Sequence, residues 1–260
     1  MPLNPMHRVT QFVRHTGRWF TPHWWAGDCV RGRWLVAVAV SCAVLISSVA
    51  TVRSTDNVDL VLILALDVSH SVNNQEFDLQ RIGLAKAFRH PAVIKAIQDG
   101  QRKRIAVMAM QWSGFLEQHV SVPWTVISSA ADAASFADRL AQLKRRYKGG
   151  ATHIAGAVRH AAGLIKEAPF AAARQVVDVS GDGRNNVNDS PRGARDAAVR
   201  AGITVNGLAI VHKSPDLVDY YRSEVIGGPG AFVVSARNYD DFPRAILLKL
   251  LREINMRFIL

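Results

Sequence analysis

Beyond residue 57 the chain alternates short apolar runs with longer stretches of helical period. Residues 58–66 (VDLVLILAL) form an apolar run of the kind found in a strand buried on both faces. Residues 77–88 place Phe77, Ile82, Leu84, Ala85 and Phe88 at helical spacing. Residues 104–112 (RIAVMAMQW) predict a second strand, and 118–122 a short third that pairs with it as a hairpin at the sheet edge. A helix capped by Ser128 or Ser129 runs to about 143, with Ala133, Phe136, Ala137 and Leu140 along one face. Then come a helix at 153–166, a strand at 175–180, a helix at 192–201 closed by Gly202 and a strand at 204–210. A helix at 215–225, a short strand at 232–234 and a closing helix at 239–253 complete the pattern.

Six strands separated mostly by helices predict a doubly wound α/β domain. Its sheet is mostly parallel, with an antiparallel edge strand and helices on both faces. In open sheets of this kind ligands bind beyond the carboxyl ends of the strands. That rule directs attention to the residues that follow each strand.

The first fifty residues differ from the rest. Residues 34–50 (WLVAVAVSCAVLISSVA) carry no charge and follow Arg31 and Arg33, which predicts an apolar helix serving as an export signal or membrane anchor. The basic flank places residues 1–33 on the cytoplasmic side and the remainder on the periplasmic or extracellular side. The organisation is therefore a basic region (1–33), the export or anchor segment (34–50), a polar linker (51–57), one α/β domain (58–254) and a tail (255–260). Both cysteines, Cys29 and Cys42, precede residue 50, so the domain has no disulfide and no thiolate metal site. Of the formal charge of +11, the domain side of residue 50 holds +7, in clusters such as Arg102-Lys103-Arg104 and Lys144-Arg145-Arg146. Such a surface suits acidic partners, and no nucleic-acid motif accompanies it.

Candidate chemistry sits at the strand ends. Asp67-Val68-Ser69-His70-Ser71 follows the first strand, and Gly181-Asp182-Gly183 follows the strand at 175–180. Gly149-Gly150-Ala151-Thr152 precedes a helix, and its glycines, like Gly181 and Gly183, permit close approach of the loops. Asp67, Ser69, Ser71, Thr152 and Asp182 thus offer two carboxylates and three hydroxyls. Such an all-oxygen set suits a hard divalent cation, Mg²⁺ or Mn²⁺. His70 and His153 flank this set and read as solvent-facing. Asp178 reads as a hydrogen-bonded residue behind the site, Asn185 and Asn186 as loop-shaping or partner-facing, and Trp112 and Trp124 as packing residues of the edge hairpin.

The order Asp67-x-Ser69-x-Ser71, then Thr152, then Asp182 resembles the metal-ion-dependent adhesion site of von Willebrand factor A and integrin I domains, across roughly residues 57–254. QWSG, VSGDGRNN and YDDFPRAILLKLLREI resemble a bacterial branch of exported von Willebrand A-like proteins of undefined function. The resemblance implies that Asp67, Ser69 and Ser71 form the core of the site. Thr152 joins directly or through water, Asp182 acts through water, and a sixth position is left for a carboxylate from an acidic protein partner.

The expected function is metal-dependent protein binding, as an adhesion or scaffold module, with Lys144–Lys148 and Arg184 assisting. One alternative is a metal-dependent hydrolase on the same rim. Position 69 is serine where an aspartyl-phosphate mechanism needs a second acid, and no nucleophile elbow, H-E-x-x-H or P-loop is present, so no enzyme is expected. Another alternative is a metal that only ties loops together.

Overall fold

A computed structural model describes residues 56–255. The apolar helix expected at 34–50, with its basic flank, lies outside the described residues. The chain runs β1 (Asp56–Val58), β2 (Val61–Asp67), α1 (Asn74–Arg89), α2 (Pro91–Gln98), β3 (Ile105–Trp112), β4 (Gln118–Ile127), α3 (Ala130–Ala141) and α4 (Ile154–Lys166). It continues through β5 (Phe170–Ala172), β6 (Gln175–Gly181), α5 (Pro191–Arg200), β7 (Ile203–Ile210), α6 (Leu217–Tyr220), a π-helical turn (Tyr221–Val225), β8 (Val233–Ala236) and α7 (Phe242–Asn255). Among the described residues no helix is long and apolar enough to cross a membrane.

The main sheet has the order β4-β3-β2-β6-β7-β8, and only β4 is antiparallel to its neighbour. β2 is buried along its whole length because it lies at the centre with helices on both faces. Its side chains alternate between two cores. Leu62, Leu64 and Leu66 join Phe77 and Phe88 of α1, Phe136 of α3 and Phe242 and Ile246 of α7. Val61, Ile63 and Ala65 join Ile154 and Val158 of α4, Ala198 of α5 and Tyr221. The register sets Asp67 beside Trp112 and Leu66 beside Ser180, so the ends of β2, β3 and β6 emerge at one rim.

Four features depart from the pattern-based expectation. β4 reaches Ile127 instead of stopping at 122, because Pro123 falls in a register shift on an edge strand. There its missing N–H costs no ladder bond. α2 starts at Pro91 under a cap from His90, an eight-residue helix too short to show a clear period. β1 and β5 pair in parallel as a separate two-stranded sheet. The helix expected at 215–225 is a four-residue α-helix leading into the π turn, which seats the buried Tyr221 ring against Gly207.

α7 is fastened by buried charge. Lys249, fully buried, places its Nζ 2.8 Å from Asp178 Oδ1 on β6 and 2.6 Å from Glu253 Oε1 one turn along its own helix. Asn206 Nδ2 donates to Glu253 Oε1 at 3.1 Å, and the Phe232 N–H donates to Asn206 Oδ1, so β7 is joined to the cluster as well. Burial pushes Asp178 up to about 6 against the pull of Lys249, and Glu253 adds to the rise, because two carboxylates share one ammonium. Lys249→Ala strands both carboxylates and is expected to cost roughly 3–5 kcal/mol in urea denaturation. Combining it instead as Asp178→Asn, Lys249→Met and Glu253→Gln is expected to recover most of that loss. A single-variant cost below 1 kcal/mol would contradict this account of how α7 is held.

Candidate metal centre

Asp67 is the last residue of β2 and is fully buried. Its Oδ1 accepts the Ser69 N–H at 2.7 Å, and its carbonyl accepts from Gln80 Nε2 of α1 at 3.1 Å. These bonds turn the chain sharply after the strand and aim Ser69 and Ser71 back over its end. The α1 start is then set by a reciprocal cap between Asn73 and Glu76. Ser69 Oγ lies 3.2 Å from Ser71 Oγ, and Ser71 Oγ donates to Asp182 Oδ1 at 2.5 Å. Thr152 Oγ1 donates to Ser69 Oγ at 3.3 Å. All five residues singled out in the sequence therefore converge, from three loops at one rim.

The loops are laced through their backbones. His70 N–H donates to Gly150 carbonyl at 2.8 Å, Asn186 N–H to Thr152 carbonyl at 3.1 Å, and Thr152 N–H to Asn186 Oδ1 at 2.8 Å. A Cβ at Gly181 would sit 2.9 Å from Asp67 Oδ2 and 2.8 Å from Tyr221 Oη, so only glycine leaves that space. A Cβ at Gly150 would collide with Glu117 and Ser113, which explains the close seat of the Thr152 loop on the β3–β4 hairpin. Gly183 differs from expectation, since a Cβ there meets nothing nearer than 3.7 Å.

Electrostatically the centre gathers two buried carboxyl groups, Asp67 and Asp182, at one rim. Asp67 Oδ2 is buried with no hydrogen-bond partner, and burial, helped by the neighbouring Asp182 charge, raises the Asp67 carboxyl to about 7. Tyr221 Oη is also buried without a partner, and burial together with both carboxylates pushes its ionisation well above the ordinary range. Lys213 Nζ, from the segment after β7, lies 3.0 Å from Asp182 Oδ2, 3.2 Å from Glu76 Oε1 and 2.5 Å from the Ser71 carbonyl. Sequence reasoning missed Lys213, although the strand-end rule that found Asp67 and Asp182 applies equally to β7. Arg145, within the basic run 144–148 expected to assist a partner, instead holds the loop: its Nη2 donates to the Val68 and Ser69 carbonyls at 3.1 and 2.9 Å.

The flanking residues sort differently from expectation in part. His70 is exposed, as read. His153 is not: it is buried, its Nε2 lies 2.7 Å from Asp189 Oδ2, and its ring stacks on Phe115. Asp178 lies in the α7 core rather than behind the metal rim. Asn186 and Asn185 shape their loop; Asn185 Nδ2 donates to the Val187 and Asp189 carbonyls. Trp112 is buried and Trp124 packs edge-on against Phe170, so both are packing residues. Arg184 is engaged with Asp216 and lies over the Tyr220 ring.

The architecture is that of a von Willebrand factor A-like domain, and solved structures of that fold superpose on it. Proximal thread matrix protein 1 from the mussel byssus, in a structure with a zinc-occupied MIDAS motif, matches with a TM-score of 0.52 at 15% identity, covering 76% of this chain and 48% of that one. The pilus adhesin SpaC from Lactobacillus rhamnosus GG matches with a TM-score of 0.53 at 14% identity, covering 78% and 31%. The von Willebrand factor type A protein from Catenulispora acidiphila matches at 0.50 and 15%, covering 76% and 43%. The chain thus spans about half or less of the length of these proteins. Within the fold, the chain belongs to the family described as protein of unknown function (DUF1194), whose profile matches residues 57–258. No curated protein matches it in sequence.

The raised Asp67 carboxyl has a direct consequence for stability. Without metal the folded protein keeps a proton that the unfolded chain has released, from about pH 4 upward, so stability falls as pH rises to about 7 and levels off above it. The loss attributable to Asp67 is on the order of 4 kcal/mol. Asp67→Asn is expected to remove this slope and to stabilise the metal-free protein at pH 8, as read by urea denaturation in EDTA. A wild-type stability that rises between pH 4 and 7 by several kcal/mol would contradict it.

Proposed function

We propose that the chain is a divalent-metal-dependent protein-binding module of adhesion or scaffold type, working on the periplasmic or extracellular side. The observation that carries the reading is the fully buried Asp67 carboxyl, with Oδ2 unpartnered, at the rim where the Ser69, Ser71 and Thr152 hydroxyls are linked to one another and to Asp182. An isolated buried carboxylate oxygen is costly unless a cation or donor meets it. The donors are all oxygen, which favours Mg²⁺ or Mn²⁺ over soft-ligand metals. The zinc-occupied motif in the mussel matrix protein supports a metal at this position of the fold.

Bound there, the metal supplies a positive centre that neutral hydroxyls only partly offset, able to take a carboxylate from an acidic protein ligand. The chain's own residues do the rest. Gln80 and the Ser69 N–H fix Asp67, Arg145 holds the Val68 and Ser69 carbonyls, and Lys213 keeps Asp182 and Glu76 charge-balanced. An aspartyl-phosphate hydrolase on this rim would carry its second acid at position 69, where serine stands. Residues 34–50 are read as the export signal or anchor that carries the domain across the membrane.

Mg²⁺ or Mn²⁺ at a hundredfold excess over Kd is expected to stabilise the full chain by about 2.7 kcal/mol, or roughly 5–10 °C in Tm. Asp67→Ala and Asp182→Ala are expected to abolish that response. Acidic peptides should then bind only with metal present, and only to the unmodified chain. Metal stabilisation without any metal-dependent peptide binding would reduce the ion to a loop tie, and no stabilisation at all would remove the metal reading.

A further inference from the structure

A second site lies beside the metal rim. Between β4, the end of α3 and the loop after it opens a cleft of about 360 Å³ lined by Gln111, His119, Ser121, Arg139, Lys144 and Arg146. That volume is in the range of small-molecule sites. No carboxylate lines it, and among the described residues none of the three cations makes an ion pair. On the neighbouring helix α1, by contrast, Arg81 and Arg89 are both paired with aspartates. Asp138, next to Arg139 in the chain, is turned away to Arg89.

The cations are held in place rather than loosely displayed. Gln111, buried at the floor, donates from Nε2 to the Lys144 carbonyl at 3.0 Å and accepts the Arg146 N–H on Oε1 at 2.8 Å. One amide therefore fixes the backbone of both residues, while Arg145 between them reaches the opposite way to the metal loop. Arg139 donates through Nη2 to Thr125 Oγ1 at 2.8 Å, which orients its guanidinium. Its Nε is buried and has no partner. Three positive charges gathered around one cleft repel each other, and an anion with several oxygens relieves that repulsion.

We propose that this cleft binds a phosphate-bearing anion, with Arg139 and Arg146 as the forked donors and Lys144 as the point charge. Guanidinium geometry matches phosphate oxygens in pairs, which is why phosphate is the chemistry named. The cleft uses none of the candidate metal ligands, and the two readings fail separately.

The test uses the full chain in EDTA at constant ionic strength, titrated calorimetrically with inorganic pyrophosphate. Saturable binding is expected, weakened at least tenfold by Lys144→Ser with Arg146→Ser, surface changes that leave the core intact. Arg139→Lys is expected to weaken it severalfold with charge preserved. A parallel arm compares sedimentation with phosphatidylglycerol and phosphatidylcholine vesicles. Loss of phosphatidylglycerol binding in the double variant, with no pyrophosphate binding, assigns the phosphate to a lipid headgroup. Absence of binding in both arms, or binding that the variants do not weaken, overturns the proposal.

Discussion

Asp67 ends a strand that is buried from its first residue to its last, and a carboxylate in such a position is tolerated only where the surroundings are built for it. The central place of β2 between β3 and β6 makes the strand dry on both faces, so the carboxyl emerges into a confined space at the sheet rim. Three loops then have to reach it. Glycines at 150 and 181 clear the approach, and the hydroxyls of Ser69, Ser71 and Thr152 meet above the strand end. The burial that raises the Asp67 carboxyl is the same burial that would make a cation held there bind through few, strong contacts.

Much of this was legible in the chain. The central strands announced themselves because burial on both faces requires uninterrupted aliphatic residues, as in VLILAL. The five candidate ligands could be found because alternate loop residues and strand-end aspartates keep fixed spacings. What was not legible depended on distant partners. His153 looked like a polar residue beside a metal loop, and only the fold brings Asp189 and Phe115 to it. Asp178 looked like support for Asp182 four residues on, but the pleat turns it toward α7, where Lys249 waits. The sequence pattern ends the third strand at 122, before Pro123, although its place at the sheet edge is where a proline is tolerated within a strand.

Gln111 shows how a single core amide can organise two surfaces. It sits on β3 one residue before Trp112, and by pairing with both Lys144 and Arg146 it makes the intervening Arg145 point inward. The guanidinium then stiffens the Val68 and Ser69 carbonyls from behind. The hydroxyl donors and the basic cleft thus share one strut. Lys213 plays a comparable part on the other side, tying Asp182, Glu76 and the Ser71 carbonyl with one ammonium.

The buried Lys249 has a mechanical meaning. A helix packed only by apolar contacts can creep along its groove, because one methylene replaces another at little cost. A step of one residue, about 1.5 Å along the axis, would draw the ammonium out of contact with a carboxylate it meets at 2.8 Å. α7 is therefore pinned in register to the middle of β6, as a key is in a slot. A pull on the helix would meet this ion pair at Asp178, four residues ahead of Asp182 along the chain.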